Sequence, residues 1–142
     1  SDVGSIGHNI IKFNGKLCGC GRKGCLEAYA SGDALIKENK IKKCKNTKEL
    51  LTKFKDNVQT VKIVDKAVEM IIESMINLNN ILRINYFIVG GSIGLNSFFF
   101  KKIKFGINKN KYPIKIIKSK LYSKAELYGC YAYVKNKLYL IK

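Results

Sequence analysis

At 142 residues and 46% hydrophobic content the chain is long enough to bury one core. It has no run of about 18 apolar residues to span a bilayer, and "SDVGSIGHN" lacks the basic and apolar regions of a secretory leader. A formal charge of +17 raises the question of nucleic acid or an anionic surface, but it is almost all lysine, with Arg22 and Arg83 the only arginines. Lys, Asn and Ile share A/T-rich codons, so coding bias accounts for the excess, and nucleic acid is not expected as a partner. The lysines are spread along the chain as solvated faces, with partial clusters at Lys40, Lys42, Lys43 and Lys45 and at Lys101, Lys102 and Lys104.

In chain order, Ile6 to Phe13 is apolar and β-prone, and Asn14-Gly15 is a hairpin-type turn signal. A glycine-rich loop follows, with Cys18, Cys20 and Cys25 in the spacing C-x-C-x4-C. Leu26 to Ala30 predicts a short helix, and Ser31-Gly32 breaks it before a second helix through about Lys40. Asn46-Thr47-Lys48-Glu49 has capping-box form and opens a third. Val58 to Leu82 is the longest helical candidate, with Val61, Val64, Ala67, Val68, Ile71, Ile72, Met75 and Ile76 recurring at helical period.

Asn85 to Val89 predicts a buried strand, and Gly90-Gly91-Ser92 a tight turn into a helix around Asn96 to Phe105. Tyr112 to Ser119 predicts a second strand. Ser123-Lys124-Ala125-Glu126, another capping box, starts a terminal helix at about 124–137. Strands alternating with helices point to an α/β fold with a largely parallel sheet.

An odd cysteine count without a secretory leader indicates a reduced, cytoplasmic compartment, where clustered cysteines read as metal ligands. His8, the only histidine, lies across the predicted hairpin from them. Together His8, Cys18, Cys20 and Cys25 form a Cys3His set suited to tetrahedral Zn²⁺. Gly19, Gly21 and Gly24 supply the tight backbone such a loop needs. Lys16, Arg22 and Lys23 would offset the thiolates' charge. Four protein ligands leave no open position, so the ion is expected to be structural. Cys44 is expected to be a surface thiol and Cys130 a small core residue.

The pattern G-H-x9-C-x-C-G-x-x-G-C-x-E resembles the signature of the ROK family (repressors, open reading frames and kinases). "LEAYASG" (Leu26 to Gly32), "IVGGSIG" (Ile88 to Gly94) and "AELYGCYAY" (Ala125 to Tyr133) resemble further family segments in the same order. The resemblance implies an actin-like, ribonuclease-H-like fold. Residues 1–142 would be a single partial domain, the C-terminal lobe, with the N-terminal nucleotide-binding lobe absent and the terminal helix packing back toward it. The absence of an initial Met fits a trimmed chain or a fragment.

The resemblance also implies roles. His8 would give one ring nitrogen to zinc and turn the other toward a sugar; metal on one nitrogen leaves the other as an aimed N–H donor. Glu27 would accept hydrogen bonds from sugar hydroxyls, an effect compatible with its favourable place at a helix N-terminus. Gly90 and Gly91 would let a nucleotide approach a strand end. Where the family has Glu in G-E-x-G-H, this chain has Ser5, which offers one hydroxyl in place of a bidentate anion.

The family's phosphate loop and catalytic Asp match nothing here, and Asp2 is wrongly placed relative to His8 to stand in for the latter. The resemblance therefore implies the sugar- and zinc-binding portion of an ATP- and Mg²⁺-dependent hexose or N-acylhexosamine kinase acting at the 6-hydroxyl, inactive alone. A homodimer would also be expected. The alternatives are the effector-binding portion of a sugar-responsive repressor of the same family, or a degenerate, non-catalytic fragment.

Overall fold

The structure, a computed structural model, describes residues 4–139; Asp2 lies outside the described residues. Three short helices and one long one precede the sheet: α1 (Glu27–Ala30), α2 (Gly32–Glu38), α3 (Thr47–Thr52) and the long α4 (Val58–Leu82). Then come β1 (Tyr86–Val89), α5 (Gly91–Gly94), α6 (Ser97–Lys109), β2 (Lys115–Lys118) and α7 (Ala125–Tyr139). The two strands pair in parallel, Tyr86 opposite Lys115 and Ile88 opposite Ile117, with α6 as the crossover. The α/β reading with a parallel sheet is what the described residues adopt.

Side-chain caps set the helix starts. Asn57 Oδ1 accepts from Gln59 N–H at the head of α4, and Asn96 Oδ1 accepts from Phe98 and Phe99 N–H at the head of α6. Asn46 accepts from Glu49 N–H at 2.9 Å, but Glu49 answers to Lys45 N–H, one residue before the cap. α4 ends where Arg83 enters the left-handed region at φ 53° and its N–H closes on Asn79 O.

The apolar stripe of α4 packs Val64, Ala67, Val68, Ile72 and Met75 against Phe99, Ile103 and Ile107 of α6, with Leu35, Leu50 and Leu51 closing one end. The two long helices meet closely at Gly106, where a Cβ would stand 2.6 Å from Ile72 Cδ1. The inner face of the sheet, through Phe87, Val89 and Ile116, joins this core.

Four sequence expectations are corrected. The Ile6–Phe13 run is not a strand; Ile6–His8 is a turn of 3₁₀ helix and only Ile10 makes a β-bridge, to Cys25. Its amides are taken up by the cysteine loop instead of by a partner strand, Ile11 and Lys12 N–H both donating to Gly24 O. β1 is buried on one side only: Ile88 is 75% exposed, because no element among the described residues covers that face. The two remaining cysteines exchange their expected places. Cys44 packs against the core, whereas Cys130 is exposed on α7, whose Leu127, Tyr128, Tyr131 and Val134 are exposed as well. No helix among the described residues is long and apolar enough to cross a membrane.

Candidate metal centre

Two short turns build the cysteine loop. Lys12 O accepts from Gly15 N–H with Asn14 at φ 52°, as the Asn-Gly signal anticipates. Cys18 O accepts from Gly21 N–H, with Gly21 at φ 83°, and Cys18 N–H returns to Arg22 O. Bridges at Leu17–Lys23 and Ile10–Cys25 then fold the loop back on the segment after His8. The buried Tyr29 braces this from α1, its hydroxyl accepting from Lys16 N–H at 2.8 Å.

The folded loop brings His8, Cys18, Cys20 and Cys25 together, one ligand atom of each lying within 4.8 Å of all the others. Cys20 Sγ is 3.7 Å from Cys25 Sγ, and Cys18 Sγ is 3.7 Å from His8 Nδ1. A tetrahedral Zn²⁺ with bonds of about 2.3 Å to sulfur and 2.0 Å to nitrogen has ligand–ligand edges of about 3.5–3.8 Å, so both contacts fit an edge of such a site. Cys18 and Cys25 are buried and Cys20 is exposed.

Arg22 is the basic residue that serves the cluster. Its guanidinium donates to His8 O at 2.7 Å. Its backbone N–H and its side chain both bond Cys20, holding that thiol's pKa down to about 6. Burial, with the neighbouring thiols, pushes Cys25 up to about 11. Lys16, expected to offset thiolate charge, pairs with Glu38 instead, and Lys23 forms a backbone bridge with Leu17. The bracing role of Arg22 was not legible in the sequence, where it counted only as nearby charge.

Glu27 Oε2 lies 3.2 Å from His8 Nδ1, on the side of the ring that faces the cluster. Ser5 and His8 line one open concavity of about 550 Å³ with Asn9, Cys20 and Arg22. Glu27 lines a neighbouring one of about 300 Å³ with Ser31, Asp33 and Lys37. The His8–Glu27 contact therefore sits on the wall between two concavities. Gly90 and Gly91 line neither. They stand at the carboxyl end of β1 beside Ser119, Gly91 at φ 75° with nothing within 4 Å of where a Cβ would be.

Among curated proteins the chain is similar to the N-acetylmannosamine kinases of Vibrio cholerae serotype O1 (34% identical over 66% of this chain and 33% of that protein) and of Vibrio vulnificus (31% over 75% and 37%). That of Haemophilus influenzae is 35% identical over 66% of this chain and 32% of its own length. The chain thus spans about a third of the curated relatives it matches, at 33% for the first.

Among solved structures it resembles a ROK hexokinase from Thermus thermophilus at a TM-score of 0.78 and 24% identity, over 95% of this chain and 49% of that one. A ROK family glucokinase from Streptomyces griseus, in complex with glucose and AMPPNP, gives 0.69 at 20% identity over 84% and 47%. A ROK family transcriptional regulator, a homologue of the E. coli MLC protein, also gives 0.69 at 20%, over 87% and 36%. At these identities the structural likenesses establish a shared fold, that of the ROK sugar kinases. The model of the ROK family itself matches residues 2–137, nearly the whole sequence, and the chain belongs to that family.

Proposed function

We propose that these residues are the zinc- and sugar-binding portion of a cytoplasmic, ATP- and Mg²⁺-dependent kinase that phosphorylates a hexose or N-acylhexosamine at its 6-hydroxyl. The observation that carries this reading is the convergence of His8 with Cys18, Cys20 and Cys25 while Glu27 stands beside the same imidazole. The similarity to N-acetylmannosamine kinases, at 34% identity in the first, supports the substrate class.

His8 Nδ1 and the three thiolates would hold zinc, which supplies rigidity and leaves no open coordination position. His8 Nε2, on the far side of the ring from Cys18, then carries the proton and donates to a sugar hydroxyl. Glu27 accepts from a second hydroxyl, and the Ser5 hydroxyl takes the place of the family's carboxylate with one weaker bond. Gly90 and Gly91 leave the end of β1 open to a nucleotide.

Phosphoryl transfer needs a general base and phosphate-binding groups beyond these 142 residues. The chain by itself is expected to bind and not to turn over. A second reading, the effector-binding portion of a sugar-responsive repressor, is favoured by the likeness to the ROK regulator at a TM-score of 0.69. It makes the same use of His8 and Glu27.

Metal analysis with His8→Ala alongside tests the reading. We expect about one zinc per chain in the native protein, clearly less in the variant, and a large loss of stability on chelation, on the order of 10 kcal/mol of binding free energy. Native protein that carries no stoichiometric zinc after purification in zinc-containing buffer would end the proposal.

A further inference from the structure

The segment after His8 lies against α4 at an open concavity of about 350 Å³ that none of the cysteines lines. Asn9, Ile10 and Ile11 form one side, and Ser74, Asn77 and Asn80 the other. Ile81 closes it; with Ser74 and Asn77 it follows the three-then-four spacing that shares one face of a helix. The volume falls within the range of small-molecule sites, about 300–1,000 Å³.

Two features set this concavity apart from those beside His8. No charged side chain lines it, although the chain carries 27 Lys and Arg and 10 Asp and Glu. The other two hold Arg22 in one and Asp33 and Lys37 in the other. In addition, Ser74 is 1% exposed and its hydroxyl has no hydrogen-bond partner among the described residues. Buried hydroxyls ordinarily find one, and a helical serine can take the carbonyl one turn back; Ser74 does neither.

We infer that this is a binding site for one residue of a neutral sugar. Each of the three carboxamides both donates and accepts, as sugar hydroxyls do. Ile10 and Ile81, 52% and 76% exposed, suit the C–H face of a pyranose ring. An anion would find no cation in this wall, and a nucleobase no aromatic ring to stack on. Asn9 also lines the concavity of Ser5 and His8, so the two adjoin. A sugar here would be a second one, held without His8, Glu27 or a metal, and the inference does not rest on the kinase reading.

Amide NMR spectra of the full chain, titrated separately with glucose, N-acetylmannosamine and the uncharged peptide acetyl-trialanine amide, test it. Either sugar should shift the side-chain amides of Asn9, Asn77 and Asn80, in the native chain and equally in Glu27→Gln. Asn77→Ala with Asn80→Ala should weaken that binding at least about fivefold. Ser74→Ala removes an unpaired hydroxyl and should not lower the Tm, yet it should weaken the sugar measurably, which a purely structural serine would not do.

Sugar-induced shifts confined to the surroundings of His8, or abolished by Glu27→Gln, overturn the second site. So does Ser74→Ala with unchanged sugar affinity, which would leave the hydroxyl to a water molecule, and so does a response to the peptide alone. Shifts at Asn77 and Asn80 with none around His8 uphold this site and overturn the sugar reading of His8 instead.

Discussion

At Gly24 the backbone stands at φ 87°, and a Cβ would fall 1.8 Å from Lys12 O, a main-chain atom that cannot swing aside. Gly24→Ala should therefore destabilise the loop by about 3 kcal/mol and lower its zinc content. Gly19→Ala, with nothing within 4 Å of its Cβ, should change stability by less than about 0.5 kcal/mol. Thermal unfolding with metal analysis of the two variants checks the contrast; equal behaviour would mean that the turn tolerates a side chain. The thiols set a second expectation. Cys20 is depressed from 9.0 to about 6, so its contribution to the zinc-free fold is complete above pH 9 and fades as the pH falls toward 6. Cys25 is raised from 9.0 to about 11, so its contribution is complete below pH 9 and is lost as the pH climbs toward 11. The stability difference between zinc-free native protein and Cys20→Ser should grow from pH 6 to 9, and that with Cys25→Ser should shrink from 9 to 11. A flat difference in either window contradicts the assignment.

At the scale of elements, legibility followed how far each element depends on its own residues. α4 begins and ends at Val58 and Leu82, the two residues that bound the helical candidate, because a long run of helical period needs no partner to declare itself. The helix after the Gly-Gly turn was placed by Asn96, but it runs four residues beyond Phe105 to Lys109, since its last turn is decided by packing and by the Tyr112 N–H closing on Ile107 O. The Ile6–Phe13 run was misread because β-propensity describes a surface the segment fits, not the neighbour it finds; here the neighbour is Gly24. The exchanged environments of Cys44 and Cys130 have the same cause, for burial depends on what lies opposite. The convergence of His8, Cys18, Cys20 and Cys25 was legible because their spacing is local. The Arg22 brace and the Glu27 approach to Nδ1 needed three dimensions. The caps allow a test at this scale. Asn96 Oδ1 holds two amide N–H groups at 3.0 and 3.1 Å and its Nδ2 reaches Leu51 O, so Asn96→Ala should cost about 1–2 kcal/mol in denaturant unfolding without altering zinc content. A loss of zinc in that variant would couple α6 to the loop in a way the packing does not suggest.

For the whole molecule the decisive contrast is between charge and the uncovered face of the sheet. Parallel strands are ordinarily buried on both faces. Here α4 and α6 cover one, and the other presents Tyr86, Ile88 and Ile117, with Ile88 and Ile117 directly opposite in register. Such a patch favours association, while a formal charge of +17 opposes it at low ionic strength. Salt weakens only the second effect, because at about 1 M the screening length falls to roughly 3 Å whereas apolar contact is unaffected or strengthened. The chain should therefore stay dispersed in dilute buffer and self-associate as salt is added. Ile88→Thr with Ile117→Thr keeps β-branched residues in the strands and removes apolar surface only from the outer face. In light scattering the double variant should resist salt-induced association, and its Tm should lie within about 3 °C of the native chain's. A fall of ten degrees would mean that these side chains are packed in solution, and an unchanged scattering curve would move the association to another surface, the exposed tyrosines of α7 being the next to test.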